Sequence, residues 1–368
     1  MRVLHVLVSE PDGECGGVDL HVRDLSSWQA SHGTDVEVFV TNSSTFANDL
    51  RHRRIAVHDA TEVGHMASVR LLRKLLSGGG IDILHSHGYD ADYLTTAAVL
   101  GLKASLRPIV IVTQHGVVEV TACNRVKTMV NRFCYSMVDG VICASASLLP
   151  RMRRWAPHVP CSVILNGIGG LGIEATQPSV RSVPLENANL RLGYVGRFSA
   201  EKRPEIFVDL VCRLRREGHP VNGLMAGNGV LWEATRARAQ KLGVSDAIEF
   251  IGLVSDVKKV FSAVDVLIQP SSSESSSRVL MEALMSGIPV AASGGGASKE
   301  ILQTAGFGTV VSNWSRITWT ELCELAKVEP TIRCDGARRV SESFDVNRMG
   351  IEINEFYSLV SMSCGGMS

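Results

Sequence analysis

The sequence has no closely spaced cysteine pair, no long apolar run and no excess charge of either sign. Its nine cysteines are odd in number and scattered through 368 residues. That pattern argues against a disulfide framework and for a reducing compartment. No stretch approaches the roughly 18 consecutive apolar residues of a membrane span. The opening MRVLHVLVSEPDGE turns charged too soon for a secretion signal. A cytoplasmic protein is expected, with peripheral attachment to the inner face of the cell membrane left open. Lys plus Arg equals Asp plus Glu at 37 each, which removes any global case for nucleic acid. The spaced three-glycine fingerprint of dinucleotide binders is missing. Histidines stand after two strands, but no third ligand at metal-binding spacing accompanies them. Neither a metal nor a cofactor is expected.

What is present is an alternation of short apolar runs with amphipathic stretches. VLHVLV, DVEVFV, DILHSH, PIVIVTQ and GVICAS form a first series, and RLGYVG, VNGLMAG, IEFIGL, VDVLIQP and PVAAS a second. Continuous apolar strands alternating with helices imply parallel sheets covered on both faces. Two series imply two Rossmann-like α/β domains facing each other across a cleft, over 1–175 and 188–343, with a weakly patterned linker between. A last helical stretch within 344–368 is expected to cross back to the first domain. Charge is uneven locally: Arg51 to Arg154 holds 14 basic and 7 acidic residues.

The chemistry gathers where strands end. PSSSESSSRVLMEALMSGIPV carries Glu274 and Glu282 around a helix expected over Arg278–Met285, entered through serines that can cap it. A strand leading through a polar turn into a helix N-terminus suits an anion. A carboxylate accepts hydrogen bonds from vicinal hydroxyls, so the pair suits a ligand with both phosphates and sugar hydroxyls. Two glutamates flanking a helix are, by themselves, more often simply solvated. GYVGRFSAEKRPEIF places Arg197 and Lys202 after another strand. Their charge-assisted hydrogen bonds, roughly 1.5–3 kcal/mol each, would outweigh a helix dipole at about 0.3–1 kcal/mol. Gly16 and Gly17 open the helix after the first strand and let backbone approach a phosphate. His85, His87 and His115 lie at or just past strands of the first series.

In order and spacing these motifs resemble the retaining glycosyltransferases of the GT-B fold, in the large family 4 group (glycosyl transferases group 1). The resemblance runs from GGVDLHVRDL through DILHSHG, TQHG, ILNGI, GYVGRFSAEK, AGNG and IEFIGLV to SGIPVAASGGG. It implies a metal-independent transfer of a sugar from a nucleotide diphosphate, UDP-sugar ahead of GDP-sugar, to the hydroxyl of a sugar, lipid-linked or small-molecule acceptor. Polysaccharide, glycolipid or other glycoconjugate synthesis would follow. It places His115 beside the transferred sugar, Arg197 and Lys202 on the diphosphate, and Glu274 on sugar hydroxyls. Glu282 would take the ribose, Val254 the base, and the backbone of Ser277, Val279 and Leu280 sugar and phosphate. Gly16 and Gly17 would approach the donor, and His87 is a candidate on the acceptor side. The basic helices ASVRLLRKLL and NRVKTMVNRF could meet anionic lipid.

Departures from the family pattern are specific. Ser275 and Ser277 replace two glycines, Arg203 replaces a glycine after Lys202, and Gly169 stands where Asp or Asn is frequent. Asp90 and Asp92 resemble the metal-binding acid pair of other sugar transferases but suit the first turn of a helix. Two other readings share the architecture: a sugar-nucleotide epimerase, and a non-catalytic subunit binding sugar nucleotides or glycans.

Overall fold

The computed structural model describes residues 1–9, 16–116, 125–169, 189–254, 256–272, 274 and 277–365. The chain divides into two compact units. One is Met1–Gly170 with Phe344–Ser368, the other Leu171–Ser343.

The first unit is built on seven strands: β1 (Arg2–Val8), β2 (Asp35–Thr41), β3 (Ala56–Asp59), β4 (Ile83–His87), β5 (Ile109–Gln114), β6 (Gly140–Cys143) and β7 (Cys161–Val163). They are parallel in the order β3-β2-β1-β4-β5-β6-β7. The second unit holds β8 (Leu190–Val195), β9 (Val221–Ala226), β10 (Ile248–Gly252), β11 (Val266–Gln269), β12 (Val290–Ala292) and β13 (Thr309–Val310). These too are parallel, in the order β10-β9-β8-β11-β12-β13. Each sheet therefore reverses its winding once, between β1 and β4 and between β8 and β11. Ligands of open parallel sheets bind beyond the strand ends at such reversals.

β3, β7 and β13 are sheet edges of two to four residues. They escape a sequence reading because a short, half-exposed edge has no apolar run.

The helix Val346–Gly365 returns to the first unit. Met349, Ile353, Phe356, Tyr357 and Val360 form its apolar stripe and cover Val3, Ile83, Ile111 and Ile142. Burial of each such side chain stabilises by about 1.5–3 kcal/mol. Contact with the helix Gly17–Ser31 is close. A Cβ on Gly350 would lie 2.2 Å from Trp28 Cε3, while Trp28 Nε1 donates to Asn347 Oδ1 at 2.8 Å.

Gly350→Ala should therefore lower stability. Overpacking against a rigid, buried indole costs about 1–3 kcal/mol and exceeds the ~1 kcal/mol that alanine gains in helix propensity. A urea midpoint at or above wild type would contradict this packing.

Candidate active site

In the second unit the charged residues gather at the reversal between β8 and β11. β8 runs into Gly196 and Arg197. Gly227 packs so tightly beneath this turn that a Cβ there would sit 1.9 Å from Gly196 O. Its φ of 128° is open only to glycine. Across the reversal, β11 ends at Gln269 and leads to Glu274. Lys202 Nζ donates to Glu274 Oε1 at 2.5 Å, and Gln269 Nε2 donates to the same oxygen at 3.1 Å. Glu274 is buried and Lys202 half-buried. The ammonium is thus held at the strand ends by a carboxylate that is itself fixed.

The helix Arg278–Met285 begins on Ser277, whose Oγ accepts from Leu280 N at 3.3 Å and also from Gln269 Nε2. The φ of Ser277 is −77°, so serine in place of glycine carries no backbone strain here, and its hydroxyl is already engaged. Ser275 lies outside the described residues. Glu282 receives Arg278 Nε at 2.7 Å along the helix. Val279 and Val254 are half-buried. The Leu280 side chain is wholly in the core, so only its backbone can meet a ligand. Arg203 has φ 49°, the left-handed conformation that explains why glycine is common there. Its Nη2 reaches Ser293 Oγ at 3.0 Å.

The first unit holds a cluster of imidazoles that the sequence shows only in part. β1 and β4 are in register with His5 beside His85. Strand alternation puts His87 on the same face, the face covered by the helix Val346–Gly365. His115 follows β5. The helix Gly17–Ser31 brings His21, whose ring centre is 4.5 Å from that of His115. Gln29 Oε1 is 2.7 Å from His5 Nε2, His5 Nδ1 is 2.9 Å from His87 Nε2, and His87 Nδ1 is 3.4 Å from His115 Nε2. His85 lies between the Tyr357 hydroxyl at 2.6 Å and Thr113 Oγ1 at 2.7 Å. Nitrogens of His5, His85 and His87 lie within 4.8 Å of one another, as do those of His21, His87 and His115. The fold thus brings a third imidazole beside His85 and His87, and another beside His87 and His115, which sequence spacing did not show. His5 and His21 were legible as residues, but only strand register and helix packing bring them here.

Other expected residues have local duties. Gly16 N donates to Asp19 Oδ2 at 2.5 Å, so this amide closes the helix start, while the space above Gly17 is open. Gly169 N donates to Asp24 Oδ2 at 3.2 Å. An acidic residue at 169 would face that carboxylate, which accounts for the glycine. Asp92 is buried and accepts from Ser86, Gln114 Nε2 and the Tyr135 hydroxyl. This is a structural network rather than an exposed metal ligand.

Burial sets the protonation states. It lowers His5 to about 4 and His115 to about 3. Burial, reinforced by neighbouring imidazoles, drives His85 and His87 well below the usual value. Burial raises Asp92 to about 7, against the hydrogen bonds it accepts. Below pH 6.5 these histidines bind fewer protons folded than unfolded, so stability falls as pH drops toward 4. Asp92 binds more protons folded than unfolded between about pH 4 and 7, so its contribution opposes that fall. Four imidazoles outweigh one carboxyl, and acidification should destabilise the first unit. In Asp92→Asn the opposing contribution is gone. Its urea midpoint should fall more steeply than wild type between pH 7 and 5; equal slopes would refute a protonated Asp92 in that range.

Comparison with known proteins agrees with this layout. Residues 15–169 match the model described as Glycosyltransferase Family 4, and residues 179–323 the model described as Glycosyl transferases group 1. An uncharacterized glycosyltransferase of Methanocaldococcus jannaschii is 23% identical over 87% of this chain and 87% of its own. Alpha-monoglucosyldiacylglycerol synthase of Streptococcus pneumoniae is 27% identical over 50% of this chain; the chain spans only 44% of that relative. HepE of Anabaena, solved in complex with UDP-glucose, superposes with a TM-score of 0.75 at 18% identity, covering 97% of this chain and 99% of that one. That likeness is one of fold. The two family models between them take up most of the chain, one in each unit, and the chain is a member of the group 1, family 4 glycosyltransferases with the GT-B fold.

Proposed function

We propose that the chain moves a sugar from a nucleotide diphosphate sugar to an acceptor hydroxyl with retention at the anomeric carbon. The observation that carries this is the Lys202–Glu274 pair at the β8–β11 reversal, with Arg197 on the adjoining turn. Two cations at the strand ends suit a diphosphate. They would stabilise it as it leaves, when its negative charge grows and the sugar becomes oxocarbenium-like. The acceptor then enters on the face the diphosphate vacates. Because Arg197 and Lys202 supply the positive charge, this scheme needs no divalent metal. Glu274 is suited to sugar hydroxyls beside the reaction and Glu282 to the ribose. His115 would serve the transferred sugar. The UDP-glucose held by the Anabaena protein favours a UDP-sugar over a GDP-sugar.

Lys202→Ala should reduce kcat about 10²–10³-fold, the usual loss for one transition-state donor, while the protein stays folded. Glu282→Ala should weaken UDP binding about 10–100-fold, as expected for one charged hydrogen bond, and leave kcat nearly intact. Isothermal titration and turnover with a set of UDP-sugars separate the two. Near-normal turnover in Lys202→Ala would remove the diphosphate assignment. An epimer formed without acceptor would point to the epimerase reading.

A membrane-borne acceptor is favoured by the first unit's surface. On the helix His65–Ser77, Met66 and Leu71 are exposed beside Arg70 and Lys74, and on Arg125–Tyr135, Met129, Val130 and Phe133 beside Arg132. Apolar side chains rimmed by cations suit an anionic lipid surface. Arg73 does not contribute: its guanidinium donates to Ala98 O at 3.2 Å and Leu100 O at 2.9 Å. Among the described residues no helix is long and apolar enough to cross a membrane. Vesicles containing anionic lipid should float the protein at low salt, and Met129→Ser with Phe133→Ser should abolish flotation. No flotation of the wild type would end this reading.

A further inference from the structure

We infer that Gln29, His5 and His87 form a hydrogen-bonded relay that fixes the tautomer of His115, leaving the proton on Nε2 and a bare acceptor at Nδ1. Its last step, that this acceptor serves a hydroxyl of the transferred sugar, rests on the functional reading above.

The direction of the relay follows from one amide. Gln29 Nε2 donates to Asn354 Oδ1 at 3.3 Å. Its Oε1 therefore faces His5 Nε2, 2.7 Å away. A carbonyl oxygen only accepts, so His5 must carry its proton on Nε2. Burial keeps His5 uncharged, which leaves Nδ1 bare. The nearest group to that lone pair is His87 Nε2 at 2.9 Å, which must donate. His87 is uncharged for the same reason, so its Nδ1 accepts from His115 Nε2 at 3.4 Å. His115, also uncharged, is left with Nδ1 bare, and this buried atom has no hydrogen-bond partner among the described residues. An orphaned buried acceptor at a strand end calls for an explanation, and a donor from a ligand is the one the functional reading supplies.

His85 is not bound to this sense, because the Tyr357 hydroxyl at its Nδ1 and Thr113 Oγ1 at its Nε2 can each donate or accept. The three imidazoles of the relay point their protons the same way, and Gln29 with Asn354 sets the sense. If the Gln29 amide were reversed, every proton would move, and His115 would present an N–H at Nδ1. Gln29, His5 and His87 are accordingly positioning residues. The arrangement has a chemical use. An uncharged ring with its lone pair outward accepts from a hydroxyl and does not repel a sugar that becomes positive, whereas an imidazolium would.

The test reads the tautomers directly. Protein labelled with ¹⁵N-histidine, free of ligand, is examined by long-range proton–nitrogen spectroscopy, with His115 assigned by its loss in His115→Asn. A proton on Nε2 and a bare Nδ1 in His115 support the relay. A proton on Nδ1, or an even mixture, overturns it. So does stoichiometric zinc in the purified protein that shifts the His87 and His115 nitrogens, since a metal would occupy the lone pair the relay uses. Gln29→Met removes the fixed acceptor and should release His115 into a mixture, with a several-fold loss of kcat/KM. Gln29→Glu keeps an acceptor at His5 Nε2 and should restore both. Equal tautomer populations in these two variants would also overturn the relay. If the tautomer is as stated but His115→Asn transfers sugar normally, the relay stands and the sugar contact falls.

Discussion

A parallel sheet has two apolar faces, and neither tolerates water. In the first unit one face is completed by the helix Val346–Gly365, from the far end of the chain. Much else follows from that cover. Toward the starts of β1, β4 and β5 the shared face is aliphatic, with Val3, Ile83 and Ile111. Toward the strand ends it becomes His5, His85, His87 and Thr113. The same helix that buries the aliphatic part seals the polar part, and Tyr357 and Asn354 supply its hydrogen bonds. Burying four imidazoles with no carboxylate paired to them among the described residues holds them neutral, and neutral rings must sort their protons among themselves.

The second unit solves a different problem. There the charges are retained but held in place. Lys202 and Glu274 meet at the sheet's reversal, where strand ends and a helix start converge. Gln269 ties Glu274 to Ser277, so the carboxylate and the helix N-terminus form one rigid piece. Side chains already ordered in this way lose little freedom when a ligand arrives, which is what a site for charge stabilisation requires.

Local pattern made some of this legible. The helix Arg278–Met285 was readable from its apolar stripe and capping serines, and the two strand series from their apolar runs. What escaped depends on register or on partners distant in sequence. His5 looks like any residue of a buried strand until β1 is set beside β4. Arg73 looks like a surface cation until the helix Tyr89–Val99 brings its last carbonyls within reach. Asp92 sits where an acid suits a helix dipole, and nothing nearby in sequence announces Tyr135 or Gln114. Arg203 was visible as a departure from the family, but the reason, a left-handed backbone, belongs to the fold.

The return of the last helix also orders events in time. Ribosomes deliver the chain from its N-terminus, and domains begin to fold as they emerge. Here the seven-stranded sheet is synthesised long before the segment that closes it. Val3, Ile83, Ile111 and Ile142 lack this part of their cover while some 180 further residues are made. The nascent first unit is therefore a natural client for chaperones, and its maturation waits on translation of the final helix.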